Sequence, residues 1–246
     1  MKLKTFKIGG VHPPENKMAA STPIEALAIP KRVSIPLSQH IGAPAVPVVK
    51  KGDDVKVGTL IAKGESFISA NIHSSVSGKV FAIDTVTDTT GYKVKAVIID
   101  VEGDVWDESI IRTPELAKEI KLEPADIVAK IKSSGIVGLG GACFPTHVKF
   151  MVPEGKKVDT LVINAVECEP YLTADHRIML ERTEEILVGI EIMKKALKVS
   201  RAIVGIEANK PDAIAKMEKV ASDFPGTEIQ PLKVQYPQGA EKQLIK

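Results

Sequence analysis

The sequence predicts a mixed α/β chain in two parts: an all-β segment over residues 1–104 and an open, parallel α/β sheet over residues 105–246. Three observations predict it. Between Val33 and Val101, short runs rich in Val, Ile, Ser and Thr are separated by Gly and Pro turn signals, the texture of strands joined by tight turns. From Val158 onward, apolar runs alternate with stretches of helical period, as a parallel sheet with crossover helices requires. Between the two lies a stretch where Gly135, Gly138, Gly140 and Gly141 crowd together ahead of a helix-start signal at Pro145.

Within the first part, strands are expected at Ala45–Lys50, Thr59–Lys63, Gly78–Ile83 and Lys93–Val101. Residues 104–134 read as a connector with a helix: Thr113-Pro114-Glu115 is a start signal, and Ile127 and Ile131 stand one turn apart. The parallel sheet begins with Val158–Ala165. One long helix follows, from Asp175 to about Leu197, with Ile178, Ile186, Leu187, Ile190 and Met193 at core-facing intervals. Arg201–Ile206 is the second strand, Pro211–Ala221 a helix opening on proline, and Glu228–Val234 the third strand; the sheet is then cut short at Lys246.

Two segments carry chemistry. Glycines without Cβ atoms let a backbone wrap a ligand closely and aim several N–H groups at it, so residues 135–150 suit an anion cradle. Pro145 fits a first helical turn, and Lys149 then lies one turn in, at the same mouth, which makes a phosphate-bearing cofactor the natural occupant. The glycines alone equally fit a flexible loop before a helix cap, and the string matches neither G-x-x-x-x-G-K-[ST] nor G-x-G-x-x-G. The second segment, Leu161 to Tyr171, is an apolar run that stops in a polar, acidic cluster. Open α/β sheets place ligands at the carboxyl ends of their strands, so Asn164, Glu167 and Glu169 sit where a ligand binds, unless the cluster is merely a solvated acidic turn.

Composition excludes several classes. The 246 residues include 33 basic and 31 acidic side chains, net charge +2, with no basic stripe interleaved with aromatics, so nucleic acid is excluded as a partner. The first residues lack the apolar core of a secretory signal, and no apolar run approaches the roughly 20 residues that span a bilayer. Two isolated cysteines, Cys143 and Cys168, fit a reducing compartment. With no adjacent general base, neither is a candidate nucleophile, and no catalytic side chain or metal ligand is expected.

The segment from Val48 to Ile61, followed by Ile72 to Val80, resembles the hammerhead of biotinyl and lipoyl carrier domains. The intervening Gly64-Glu65-Ser66-Phe67-Ile68-Ser69-Ala70-Asn71 contains no lysine to modify, so the resemblance implies a structural barrel-sandwich domain rather than a swinging arm.

The Gly-rich string with Phe144-Pro145-Thr146 and Lys149, then Asn164-Ala165-Val166-Glu167-Cys168-Glu169-Pro170, resembles the flavin- and NADH-binding subunit of respiratory NADH-quinone oxidoreductase. Closer still, Gly9-Gly10-Val11-His12-Pro13-Pro14-Glu15-Asn16-Lys17, Glu167 to Tyr171, and Tyr236-Pro237-Gln238-Gly239-Ala240-Glu241-Lys242-Gln243 resemble the N-terminal part of the RnfC family, the electron-transport component of Rnf-type ion-translocating ferredoxin:NAD oxidoreductases. The resemblance implies a barrel-sandwich domain over 1–104 and a Rossmann-like FMN- and NADH-binding domain, incomplete at its C-terminus, over 105–246. It implies an electron-transfer subunit exchanging hydride between NAD(H) and FMN. Two [4Fe–4S] clusters are implied only for a C-terminal region absent from this chain, whose two cysteines have no cluster spacing. Its partners are then NADH and the other subunits of a membrane electron-transport complex, with the chain peripheral on the cytoplasmic side and no span of its own.

The resemblance also assigns roles. The backbone at Gly138, Gly140, Gly141 and Ala142 approaches the cofactor, Phe144 stacks on a ring or joins the core, and Lys149 neutralises the phosphate. Asn164 meets a polar isoalloxazine or ribose edge. Glu167 and Glu169, which repel phosphate, suit ribose hydroxyls or the nicotinamide amide. Tyr236, Gly239 and Glu241 match a third flavin-contacting segment, where Ala240 replaces a family glutamate. Two other identities share some of these features: the corrinoid-reducing flavoproteins, and a non-catalytic scaffold whose β-module docks other subunits.

Overall fold

The computed structural model describes residues 3–7 and 9–245; Met1, Lys2, Ile8 and Lys246, where the sequence predicts the sheet to be cut short, lie outside the described residues. The chain forms two compact units, one of Leu27–Glu115 and Ala125–Glu154, the other of Met1–Ala26, Leu116–Pro124 and Gly155–Lys246. A boundary at 104/105 follows composition, whereas these units follow packing. The N-terminal arm belongs with the parallel sheet, and the Gly-rich stretch belongs with the β-module.

The first unit carries β1 (Arg32–Pro36), β2 (Val46–Pro47), β3 (Asp54–Val55), β4 (Leu60–Lys63), β5 (Ile72–His73), β6 (Gly78–Thr87) and β7 (Lys93–Val101). They form two antiparallel sheets ordered β1-β7-β6-β3 and β2-β4-β5. Ile35, Val80, Val97 and Ile99 from the first sheet and Ile61, Ala62 and Ile72 from the second share one buried cluster, so the core lies between the sheets as in a barrel sandwich. β6 runs past the expected Ile83 because its pairing with β7 continues to Thr87↔Lys93, and the turn beyond is held by Asp88, whose carboxylate accepts the Thr90 and Tyr92 amides.

Helix α1 (Pro124–Ser133) begins ten residues later than the Thr113-Pro114 signal suggests, because Pro124 has no N–H to donate and suits the first helical position. Its buried Ile127 and Ile131 are the predicted pair. Helix α2 (Thr146–Lys149) is a single turn with Pro145 at its N-cap position, and Pro153 and Gly155 bar its extension.

The second unit contains β8 (Thr160–Ala165), α3 (Ala174–Glu181), α4 (Thr183–Leu197), β9 (Arg201–Glu207), α5 (Pro211–Ala221), β10 (Thr227–Leu232) and the short α6 (Glu241–Leu244). The strands pair in parallel in the order β10-β9-β8. Leu187, Ile190, Val204, Ile206, Ala213 and Met217 form its core. The long helix predicted from Asp175 is two helices, broken at Arg182 (φ −131°, ψ 32°). There the Thr183 hydroxyl donates to the Met179 carbonyl at 2.5 Å, supplying locally a bond that a helical amide would otherwise make. The break resets the buried face: His176 and Met179 are buried in α3 while Ile178 is exposed.

The N-terminal arm is extended against this unit. Lys4 bridges Leu232 in parallel, Val11 bridges Tyr236 in antiparallel fashion, and Gln235 Nε2 donates to the Gly9 carbonyl at 2.6 Å.

Candidate functional site

The Gly-rich stretch closes as a loop in the first unit. The Gly138 amide donates to Phe144 O at 2.9 Å, Val137 bridges Pro145, and the Thr146 amide donates to Ile136 O at 3.0 Å. The loop is seated on the β-module, because the Ile41 amide donates to Ala142 O at 3.1 Å. Asn71 ties the approach to it, accepting from the Gly64 amide and donating to Ser133 O, both at 3.0 Å. Gly135 lies against the same residue: a Cβ there would stand 2.1 Å from Asn71 O. The octapeptide that carries no lysine thus borders the Gly-rich segment instead.

Within the loop, a Cβ on Gly138 would lie 3.0 Å from Lys149 Nζ, while nothing stands within 4 Å of a Cβ on Gly140 or Gly141. Bare backbone beside an ammonium fits a phosphate-bearing ligand. Cys143 adopts φ 48°, a left-handed conformation that ordinarily favours glycine. Phe144 is half-buried, and His147 is 2% exposed with no partner for Nδ1. Burial, with Lys132 nearby, lowers the pKa of His147 below the usual imidazole value.

In the second unit, Asn164, at the penultimate position of β8, donates from Nδ2 to Gly239 O at 2.8 Å and accepts from the Val166 amide at 3.2 Å. Gly239 packs so closely that a Cβ would meet Val166 O at 2.9 Å, and its amide reaches Cys168 Sγ at 3.4 Å. Burial pushes the Cys168 thiol up, which keeps it protonated and unreactive at neutral pH. Glu167 is 3% exposed; Oε1 accepts the Asp175 amide at 2.8 Å, while Oε2 has no partner. The free carboxylate oxygen at this strand end is an acceptor open to a hydrogen-bond donor from water or a ligand.

Sequence reasoning missed the cations that balance this end of the sheet. Lys17 Nζ donates to the carbonyls of Glu167 and Glu169 at 2.8 Å and of Leu172 at 2.7 Å. Burial and the adjacent Lys210 lower its pKa, opposed by Glu167, Glu207 and Glu15. Lys210 and Glu207 pair at 3.2 Å with side chains 3% and 1% exposed. Glu207 follows the apolar run of β9 as Glu167 follows β8, so the same strand-end signal points to it. Lys17, Glu167 and Glu207, with His12, Asn209 and Tyr236, line a small cleft.

Of the predicted residues, the structure brings Asn164, Glu167 and Gly239 to one strand end and Lys149 to Gly138. Glu169 contributes its carbonyl to the Lys17 knot, and Tyr236 its backbone to the arm. Glu241 opens α6 exposed. The Gly-rich loop and the strand end fall in different compact units.

The family model of the RnfC barrel sandwich hybrid domain matches residues 4–104, and that of the Nuo51 FMN-binding domain matches residues 131–246. The chain is 49% identical to the C component of the proton-translocating ferredoxin:NAD(+) oxidoreductase complex of Clostridium ljungdahlii, over 99% of this chain and 52% of that protein. It is 44% identical to the C component of the Na(+)-translocating ferredoxin:NAD(+) oxidoreductase complex of Acetobacterium woodii, over 100% and 55%. It is 42% identical to the C component of the ion-translocating oxidoreductase complex of Rhodobacter capsulatus, over 99% and 47%. The chain spans about half the length of the curated relatives it matches.

Proposed function

The chain belongs to the RnfC family of ion-translocating ferredoxin:NAD oxidoreductase components, and on that premise we propose that it is the flavin- and nucleotide-binding part of an electron-transfer subunit. FMN, when bound, supplies hydride exchange with NAD(H) on one side and single-electron exchange on the other. Iron–sulfur clusters that take up the single electrons would lie in the part of the relatives that this chain does not span. Its partners are the other subunits of a membrane complex, with this chain peripheral on the cytoplasmic side. Among the described residues no helix is long and apolar enough to cross a membrane.

The observation that carries the reading is Lys149 over Gly138, beside open backbone at Gly140 and Gly141, inside the segment matched by an FMN-binding domain. Lys149 meets the phosphate as a fixed charge, and the Gly138–Ala142 backbone approaches it without side-chain hindrance. Phe144 contributes apolar surface. Asn164, committed through Nδ2 to Gly239 O and through Oδ1 to the Val166 amide, holds the third motif segment at Gly239 against β8 and meets a polar edge with its remaining Nδ2 hydrogen and Oδ1 lone pair, alongside Tyr236 and Glu241 of that segment. Glu167 and Glu169 orient the dinucleotide through its hydroxyl and amide donors.

Titrating the chain with FMN, followed by quenching of flavin fluorescence, tests the reading. Lys149→Ala removes one charge-assisted contact, about 1.5–3 kcal/mol, or roughly ten- to a hundredfold in affinity. Absence of FMN binding in the unaltered chain, or an affinity unchanged in the variant, refutes it.

A further inference from the structure

The loop from Glu167 to Leu172 has no backbone–backbone hydrogen bond within itself among the described residues. Its shape is imposed from outside. Three of its six carbonyls converge on one ammonium, Lys17 Nζ, at 2.7–2.8 Å, and the Tyr171 amide donates to Glu15 O at 2.9 Å. Tyr171 is held at φ 69°, a conformation a tyrosine does not adopt unconstrained. Lysine has three donors, and here all three are used. The arm that carries Lys17 is itself anchored at Val11 to Tyr236 and at Gly9 to Gln235.

We propose that Lys17 is a positioning residue: by gathering the carbonyls of Glu167, Glu169 and Leu172 it sets the shape of this loop and thereby the affinity for the dinucleotide, while leaving flavin binding untouched. The first half stands on geometry alone; the second rests on the nucleotide role given to Glu169 above. Without the ammonium, three carbonyls that face one another repel and turn back to water, and the constraint on Tyr171 is released.

Amide hydrogen exchange and ligand titration on the full chain test both halves. Lys17→Met keeps the aliphatic stem and removes the donors. Exchange of the Tyr171 amide, which donates to Glu15 O, is expected to rise about tenfold or more with the core of the sheet unchanged. NADH affinity is expected to fall about tenfold or more while FMN affinity stays within about twofold. Should Lys17→Met unfold the unit, Lys17→Arg decides: a planar guanidinium cannot place three donors at one point, so exchange of the Tyr171 amide still rises. Unchanged loop exchange in the folded variant overturns the proposal, as does an equal loss of FMN and NADH affinity, which reduces Lys17 to a fold-wide role. If the unaltered chain binds no NADH, the nucleotide reading fails while the exchange result still decides whether Lys17 shapes the loop.

Discussion

Removing one charge from the Glu207–Lys210 pair is expected to cost the second unit a large fraction of its stability. Both side chains are almost wholly buried and 3.2 Å apart. Each has given up its hydration, and their mutual attraction offsets that loss only while both are present. Glu207→Gln preserves shape and leaves the Lys210 ammonium with Asn209 Oδ1 at 3.0 Å and a long contact to Glu167 O at 3.5 Å. The nearby Lys17 ammonium then repels it with less opposition. Breaking a buried pair costs about 3–5 kcal/mol, and the surviving amide contact places this case near 3 kcal/mol. That corresponds to a fall of about 10 °C in Tm for a unit of this size. Denaturation followed by the far-UV helical signal measures it. The double variant Glu207→Gln, Lys210→Met removes both charges and should recover most of the loss, giving a coupling of about 2 kcal/mol. A cost below about 1 kcal/mol for Glu207→Gln, or strictly additive single effects, would refute the reasoning.

Glu169→Gln should slow reduction of bound flavin by NADH about tenfold or more while leaving flavin retention nearly unchanged, as stopped-flow bleaching would show; equal loss of both makes Glu169 structural. His147 is buried with its pKa lowered, so between the folded and ordinary imidazole values the unfolded chain binds a proton that the folded chain does not. Its contribution is complete above about pH 6.5 and declines as pH falls below that, by up to about 1.4 kcal/mol per pH unit. His73, also lowered by burial, adds to the same slope. Urea midpoints measured on acidification should fall less steeply in His147→Gln than in the unaltered chain. Gly135→Ala combines a left-handed φ of 67° with a Cβ 2.1 Å from Asn71 O, and should cost about 2–3 kcal/mol. Because the clash is with a main-chain oxygen, Asn71→Ala should not rescue it; recovery on adding that change would sink the explanation.

What the sequence disclosed depends on whether a contact leaves a periodic trace. The runs at 60–63 and 93–101 and the three parallel strands were legible because alternation or an apolar run marks them. β3 and β5 have two residues each and offer no period to read. The break at Arg182 was invisible because Leu187 and Ile190 keep a helical phase on their own, whatever precedes them. At the site, Asn164 and Glu167 stood out as polar residues ending an apolar run, but their partners did not. Gly239 reaches Asn164 across 75 residues and Lys17 reaches Glu167 across 150, and both bonds run through main-chain carbonyls, which any residue supplies. Glu207 carries the same strand-end signal as Glu167, but its buried pairing with Lys210 at i,i+3 leaves no trace that separates it from an ordinary surface pair.

The arm that bridges Tyr236 has a consequence for how the chain is made. Gln235 donates to Gly9 across 226 residues, so the arm finds this main-chain partner only after that many further residues have been made. At about 5–20 residues per second the arm waits roughly ten to forty-five seconds, its extended backbone unpaired in the meantime. The β-module is completed at Glu154, before any strand of the parallel sheet exists. Order of synthesis and order of folding thus differ for the arm: it is made before the β-module yet belongs to the unit made after it. A circular permutant that moves residues 3–17 to follow 245 would shorten that loop closure, and its refolding rate would report how far this long-range pairing limits assembly.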